Sequence, residues 1–143
     1  MDRGILPTLL GYQLRRTQQL VFQHFAANLT EFGVTPGQVG LLLLVEANPG
    51  VSQSALAKAI GVERASLGET VKHLAAAGHL EREPSPRDRR SNALHLTARG
   101  KRLVERIVPR IRDHERAVSQ RLSEPERRAL IDLLDRLGAP QQD

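Results

Sequence analysis

Arg87, Asp88, Arg89 and Arg90 stand together in a turn-rich stretch between two short segments that alternate polar and apolar residues. Guanidinium groups at a protruding turn suit charge-assisted contact with phosphates, or insertion into a narrow minor groove where negative potential is strongest. Asp88 can pair with Arg89 or Arg90 and hold such a tip in shape. A solvated charge run is the plain alternative. Bond-making chemistry has no comparable nucleus. The chain has no cysteine, which removes thiol nucleophiles, disulfides and thiolate metal sites. It also lacks a Gly-rich phosphate loop and a serine elbow, and its acidic residues lie mostly beside basic ones. No nucleophile, base and orienter can be nominated for one cleft, so neither an enzyme nor a cofactor is expected. His24, His73, His79, His95 and His114 are scattered over different elements, and no metal site is expected from them.

The composition narrows the partner. The 143 residues are 40% hydrophobic and 26% charged, which suits one globular domain. A net charge of +5 favours an anionic partner only weakly. The distribution says more, because Arg82, Arg87, Arg89, Arg90, Arg99, Lys101 and Arg102 crowd one stretch. Aromatic residues make up 3% of the chain, which argues against recognition by stacking on bases, so if nucleic acid is the partner, duplex DNA is the expected form. The longest apolar run, residues 41–45, is far too short to span a bilayer. The first residues lack the pattern of a signal peptide. A cytoplasmic location without a membrane partner is expected.

The elements that must position these residues are mostly helices. A first helix is expected over residues 5–29, with Leu14, Val21, Phe25 and Leu29 at helical spacing. Thr35-Pro36-Gly37-Gln38 has the form of a capping box with Pro at the first helical position, opening a buried second helix that Asn48-Pro49-Gly50 stops. Ser52 caps a short third helix over residues 53–60, Gly61 ends it, and a fourth follows over residues 64–77. Two short helices joined by a tight Gly-containing turn have the form of a helix-turn-helix. Residues 79–83 and 91–96 flank the basic turn as a β-hairpin, or wing. Thr97 caps a fifth helix over residues 98–121 that Pro109 should kink, and Ser123-Glu124-Pro125-Glu126 opens a sixth. The fold class is therefore mostly α with a small β-hairpin wing. The apolar stripes of the long terminal helices exceed what so small a core can cover, and a second copy of the chain is the simplest partner.

On the fourth helix, Leu67, Val71 and Leu74 should pack inward. Ala65, Ser66, Glu69, Lys72 and His73 then face outward, with Arg64 and Gly68 on the flank. Small residues near the N-terminal end let such a helix approach base edges in the major groove. Glu69 can accept from a cytosine amino group, and Arg64 can reach a guanine or a phosphate. Ser52, Gln53 and Ser54, at the start of the third helix, complete the DNA-binding set together with Arg87, Asp88, Arg89 and Arg90. An ordinary amphipathic surface helix is the alternative.

The residues Leu56-Ala57, Gly61-Val62, Leu74, Gly78-His79-Leu80-Glu81-Arg82, Asp88-Arg89-Arg90 and Leu96-Thr97-Ala98-Arg99-Gly100 together resemble the MarR family of bacterial transcriptional regulators. The resemblance covers nearly the whole chain, and the Asp-Arg-Arg wing followed by Leu-Thr-x-x-Gly is its specific part. It implies a homodimer joined by the first, fifth and sixth helices. Residues 1–34 and 98–143 would then be dimerisation helices around a winged lobe at 35–97. It also implies a ligand pocket between the interface and that lobe. Two departures concern the operator rather than the fold: Glu63 stands where members usually carry Ser or Thr, and Gly68-Glu69 where they often carry Thr-Arg. The stretch from Leu10-Gly11-Tyr12 through Phe25 is similar to the first helix of members that sense hydroxycinnamoyl-CoA thioesters. That similarity implies Arg15 and Arg16 at the CoA phosphates, and Tyr12, His24 and Phe25 around an aromatic group. Solvated arginines and a dimer-core Phe25 are the alternative.

The expectation is a ligand-responsive, sequence-specific repressor that binds a palindromic operator and is released by an aromatic carboxylate, a phenol or an aromatic CoA thioester. An architectural DNA-binding protein of low specificity stays open beside it.

Overall fold

Gln38 donates its backbone N–H to the Thr35 hydroxyl at 3.3 Å, and its side chain accepts the Thr35 N–H at 2.9 Å. This reciprocal cap, with Pro36 behind it, opens α2 (Pro36–Ala47). The computed structural model describes residues 1–84 and 92–139. The other elements follow in order: α1 (Leu10–Leu29), then α2, β1 (Val51–Ser52), α3 (Gln53–Ile60), α4 (Arg64–Ala76), β2 (Leu80–Pro84), β3 (Asn92–Leu96), α5 (Ala98–Val118) and α6 (Glu124–Gly138).

Two boundaries differ from the sequence expectation. The first helix begins at Leu10 rather than residue 5, because Leu9 is extended and Pro7 heads a separate single turn, Leu6–Thr8. The fifth ends at Val118, where Ser119 folds its hydroxyl back onto the Glu115 carbonyl. Pro109 lies inside α5, which continues past it. The two-residue strand β1 was not expected. It pairs antiparallel with β3, which also pairs with β2, giving the order β1-β3-β2.

The core is continuous from α1 to α5. Leu41, Leu42 and Val45 of α2, Leu56 of α3, Leu67, Val71 and Leu74 of α4, and Leu94 of β3 are buried together with Leu29 and Ile107. Apolar burial on this scale dominates stability. It also corrects one expectation about α5. Leu103, Val104 and Ile107 are buried within the chain, and Ile111 packs against the same core. Half of the α5 stripe therefore needs no second copy. The apolar surface left uncovered is concentrated on α6, which buries no residue, and at the start of α1, with Leu20 and Phe22 exposed further along α1. Leu10, Leu14, Leu130, Leu133, Leu134 and Leu137 line an apolar cavity of about 510 Å3 there.

Candidate nucleic-acid interface and effector region

Gly61 adopts φ +73°, a conformation that favours glycine, and donates its N–H to the Ala57 carbonyl at 3.0 Å. That left-handed residue ends α3 and turns the chain straight into α4, while the Ser52 hydroxyl caps α3 by accepting the Ala55 N–H at 3.1 Å. The two helices meet where Gln53 lies against Gly68, with the amide nitrogen 3.4 Å from where a Cβ would stand. A side chain at 68 would lie in contact with the end of the Gln53 side chain.

Leu67, Val71 and Leu74 clamp the inner face of α4, as the apolar spacing predicts. Arg64, Ala65, Ser66, Glu69, Lys72 and His73 are all exposed on its other faces, Ser54 is exposed beside them, and Ser52, Gln53 and Gly68 are half-buried. Glu69 is not idle on this surface: it accepts from Lys72 at 3.1 Å. An exposed pair of this kind contributes little to stability, and both groups stay available to DNA. Glu63 occupies the N-cap of α4 without a side-chain cap bond. The strands β2 and β3 run in register from Leu80 opposite Leu96 to Pro84 opposite Asn92. They lead into and out of the basic turn, but Arg87, Asp88, Arg89 and Arg90 themselves lie outside the described residues.

The candidate effector residues are all on α1, but they do not converge. Tyr12 and His24 are separated by twelve residues, about 18 Å along a helix. A small aromatic group cannot touch both within one chain, whereas an extended ligand or a second copy of the chain can bridge them. Arg15 and Arg16 are exposed and Tyr12 is half-buried. At the other end, His24 and Phe25 meet His114, one of the five histidines scattered along the sequence. The Nδ1 atoms of His24 and His114 are 2.7 Å apart, and the Phe25 ring stands edge-on to His114 with centroids at 4.8 Å. Asn28 adds its side-chain amide at 3.2 Å from His24 Nδ1. His114 is only 3% exposed. Burial first, and then the neighbouring His24, hold its imidazole below the ordinary value, against a small opposing pull from Glu115. A signal for this was present: His114 continues the apolar stripe of α5 between Ile111 and Val118, where a histidine must find a buried partner. A cavity of about 310 Å3 lies on the neighbouring α1 surface, lined by Gln18, Gln19, Phe22 and Gln23. No described helix is long and apolar enough to cross a membrane.

Known proteins share this arrangement. The MarR family profile matches residues 32–91. A protein of Thauera aromatica, described as a transcriptional regulatory protein for the hcr operon, is 44% identical over 135 residues, covering 94% of this chain and 81% of its own. Among solved structures, the transcriptional repressor CouR bound to a 23-mer DNA duplex superposes with a TM-score of 0.93 at 34% identity, covering 97% of this chain and 99% of that one. CouR bound to p-coumaroyl-CoA gives a TM-score of 0.90 at 30% identity, covering 99% of each chain. With the capped second helix, the α3–α4 turn and the paired wing strands all present, and with this much identity along the whole length, the chain belongs to the MarR family of winged-helix transcriptional regulators and is not an enzyme.

Proposed function

We propose that this regulator is a homodimeric repressor that reads a palindromic operator and is released by an aromatic effector or its CoA thioester. The observation that carries the DNA-reading part is α4: its apolar face is fixed by Leu67, Val71 and Leu74 while Arg64, Ser66 and the Glu69–Lys72 pair are exposed on its other faces. A rigid helix with a small-residue N-terminal end is what entry into a major groove requires. In a dimer, two such helices would reach successive major grooves, about 34–36 Å apart. Ser52, Gln53 and Ser54 would approach the backbone beside them, and the Arg87–Arg90 turn the flanking minor groove. The uncovered leucines of α6 and the start of α1 supply the apolar surface that a second copy would bury.

Two features support the effector reading. His24, Phe25 and His114 form an aromatic, partly buried cluster where α1 packs on α5. The similar repressor CouR binds p-coumaroyl-CoA. Arg15 and Arg16, higher on α1, would meet the phosphates of a thioester long enough to span the helix. The ligand would favour a dimer geometry whose recognition helices no longer match the groove spacing, so DNA and ligand would weaken each other by the same factor.

Competition binding tests the specific against the architectural reading. The chain should hold a palindromic site selected from random duplexes against a large excess of scrambled DNA. Equal loss to any competitor would favour an architectural protein. Titration of the complex with p-coumarate and p-coumaroyl-CoA then tests release.

A further inference from the structure

Arg99, Arg102 and Arg106 recur at helical spacing on the first half of α5 and share one side of it. With Glu31, Phe32 and His79 they line a cavity of about 300 Å3 between the helical turn Thr30–Phe32 that follows α1, the α4–β2 turn and α5. Among the described residues, none of the three arginines forms an ion pair. Glu31, the carboxylate of the lining, is engaged by Arg110 at 2.7 Å. Arg106 lies over the Phe32 ring at 5.3 Å, which braces the guanidinium without neutralising it. The Nδ1 atom of His79 is buried and has no hydrogen-bond partner among the described residues. Burial, followed by the charge of Arg99, disfavours the protonated form of that ring. Orphaned buried polar atoms are rare, and the ring that carries this one feels the Arg99 charge and shares the cavity lining with Arg102 and Arg106.

The walls are rigid. Gly100 approaches the turn so closely that a Cβ there would overlap the His79 carbonyl oxygen. The Thr97 hydroxyl donates to the Gly78 carbonyl at 2.6 Å and accepts the Gly100 N–H at 3.0 Å. These contacts fix the start of α5 against the turn, and with it the guanidinium row against His79. The cavity is also remote from the DNA-reading end. His79 follows the C-terminus of α4, about 20 Å along the helix direction from Arg64.

We propose that this cavity is an anion site for a phosphate or diphosphate group of a small molecule, separate from the surface that reads DNA. Three planar guanidiniums match a group with several acceptor oxygens and at least two negative charges, and the His79 ring in the same lining stands where it would sense that charge. The inference stands independently of the effector reading above.

Inorganic pyrophosphate is the probe. Calorimetry on the native protein should show one saturable site per chain. The double variant Arg102→Gln/Arg106→Gln should bind at least about tenfold more weakly, since two charge-assisted contacts are lost. Both side chains are exposed, so the variant should fold, which its circular dichroism checks. The imidazole signals of His79 in 1H–15N spectra should shift during titration of the native protein. Absence of saturable binding, undiminished binding by the double variant, or an unmoved His79 at saturation would each overturn the assignment. A DNA arm separates the sites. The double variant should keep the salt dependence of native binding to random-sequence duplex. A slope flatter by roughly 0.9 for each lost guanidinium would make these arginines DNA contacts and sink the proposal. The source of the phosphate is read by adding CoA. Displacement of pyrophosphate by CoA makes a CoA tail the occupant, and simultaneous binding of both makes it a separate phosphorylated compound; either result supports the site.

Discussion

The Nδ1 atoms of His24 and His114 lie 2.7 Å apart, joining α1 to α5 across 90 positions of sequence. At this distance one ring must donate its proton and the other must accept, so the pair holds together only while at least one ring is neutral. His114 is held below its ordinary value of 6.5, chiefly by burial and then by His24. A histidine with a lowered folded-state pKa stabilises the fold fully above the unfolded value, and that contribution is lost as pH falls below about 6.5 toward the folded value.

Melting temperature should therefore fall as pH is lowered from 7.5 to 5.5. His79, whose ring is also held low by burial and by Arg99, contributes with the same sign. The comparison that isolates the pair is the variant His114→Asn, which keeps a polar atom near the Nδ1 position and cannot titrate. Its melting temperature should be lower throughout and should vary less over this pH range. An equal pH slope in both proteins would show that the pair is not what titrates.

Gly100 and Gly40 should respond to alanine with opposite signs. Gly40 sits in α2 with nothing within 4 Å of a built Cβ, so Gly40→Ala should stabilise by about 0.5–1 kcal/mol through helix propensity. Gly100 sits in α5 against the His79 carbonyl. Gly100→Ala forces that backbone apart and should cost about 1–3 kcal/mol despite the same propensity gain. Urea unfolding measures both, and a stabilised Gly100→Ala would mean that the close approach is not there.

Dimerisation should depend on α6 more than on the middle of α5. Ile111 already packs on its own core, so a charge there would damage the protomer and report ambiguously on assembly. Leu134 is exposed within the apolar cavity between α6 and α1. Leu134→Glu should leave the helical signal intact and shift sedimentation from a dimer toward the 15.8 kDa chain mass. An unchanged dimer would place the interface elsewhere.

Much of this was legible in the sequence because the helix ends are written in local chemistry. The Thr35–Gln38 and Ser123–Glu126 boxes, the Ser52 cap and Gly61 all act within a few residues, and the structure has each where the spacing places it. What escaped depends on distant partners. A two-residue strand at Val51–Ser52 has no periodicity to read, and exists because Leu94 and Ala93 lie opposite it. The His24–His114 pair needs α1 packed on α5, and the orphaned His79 nitrogen needs the α4–β2 turn packed on α5. Of the DNA-binding set, the α4 members Arg64, Ala65, Ser66, Glu69, Lys72 and His73 are exposed as the helical spacing implies, while the α1 effector set spreads along its helix because Tyr12 and His24 are more than three turns apart.

The last prediction concerns Glu69, whose carboxylate pairs with Lys72 at 3.1 Å on the exposed side of α4. The pair is solvated, so its loss should leave stability almost unchanged. Its effect on DNA should be larger, and of two opposite kinds. Glu69→Ala removes a negative charge and frees Lys72 for a phosphate, so affinity for scrambled duplex should rise and its salt dependence should steepen by up to about 0.9 in the log–log slope. The same change removes an acceptor from the face that would meet base edges. Discrimination at one operator base pair should relax by about 1–3 kcal/mol, with cytosine on the contacted strand as the base no longer preferred. Lys72→Ala should do the reverse, weakening every duplex alike while leaving the preference intact. Titrating both variants on a selected operator, on its single-base changes and on scrambled DNA at several salt concentrations reads all of these effects. If Glu69→Ala gained no non-specific affinity and kept full selectivity at every position, this side of α4 would not be the one in the groove.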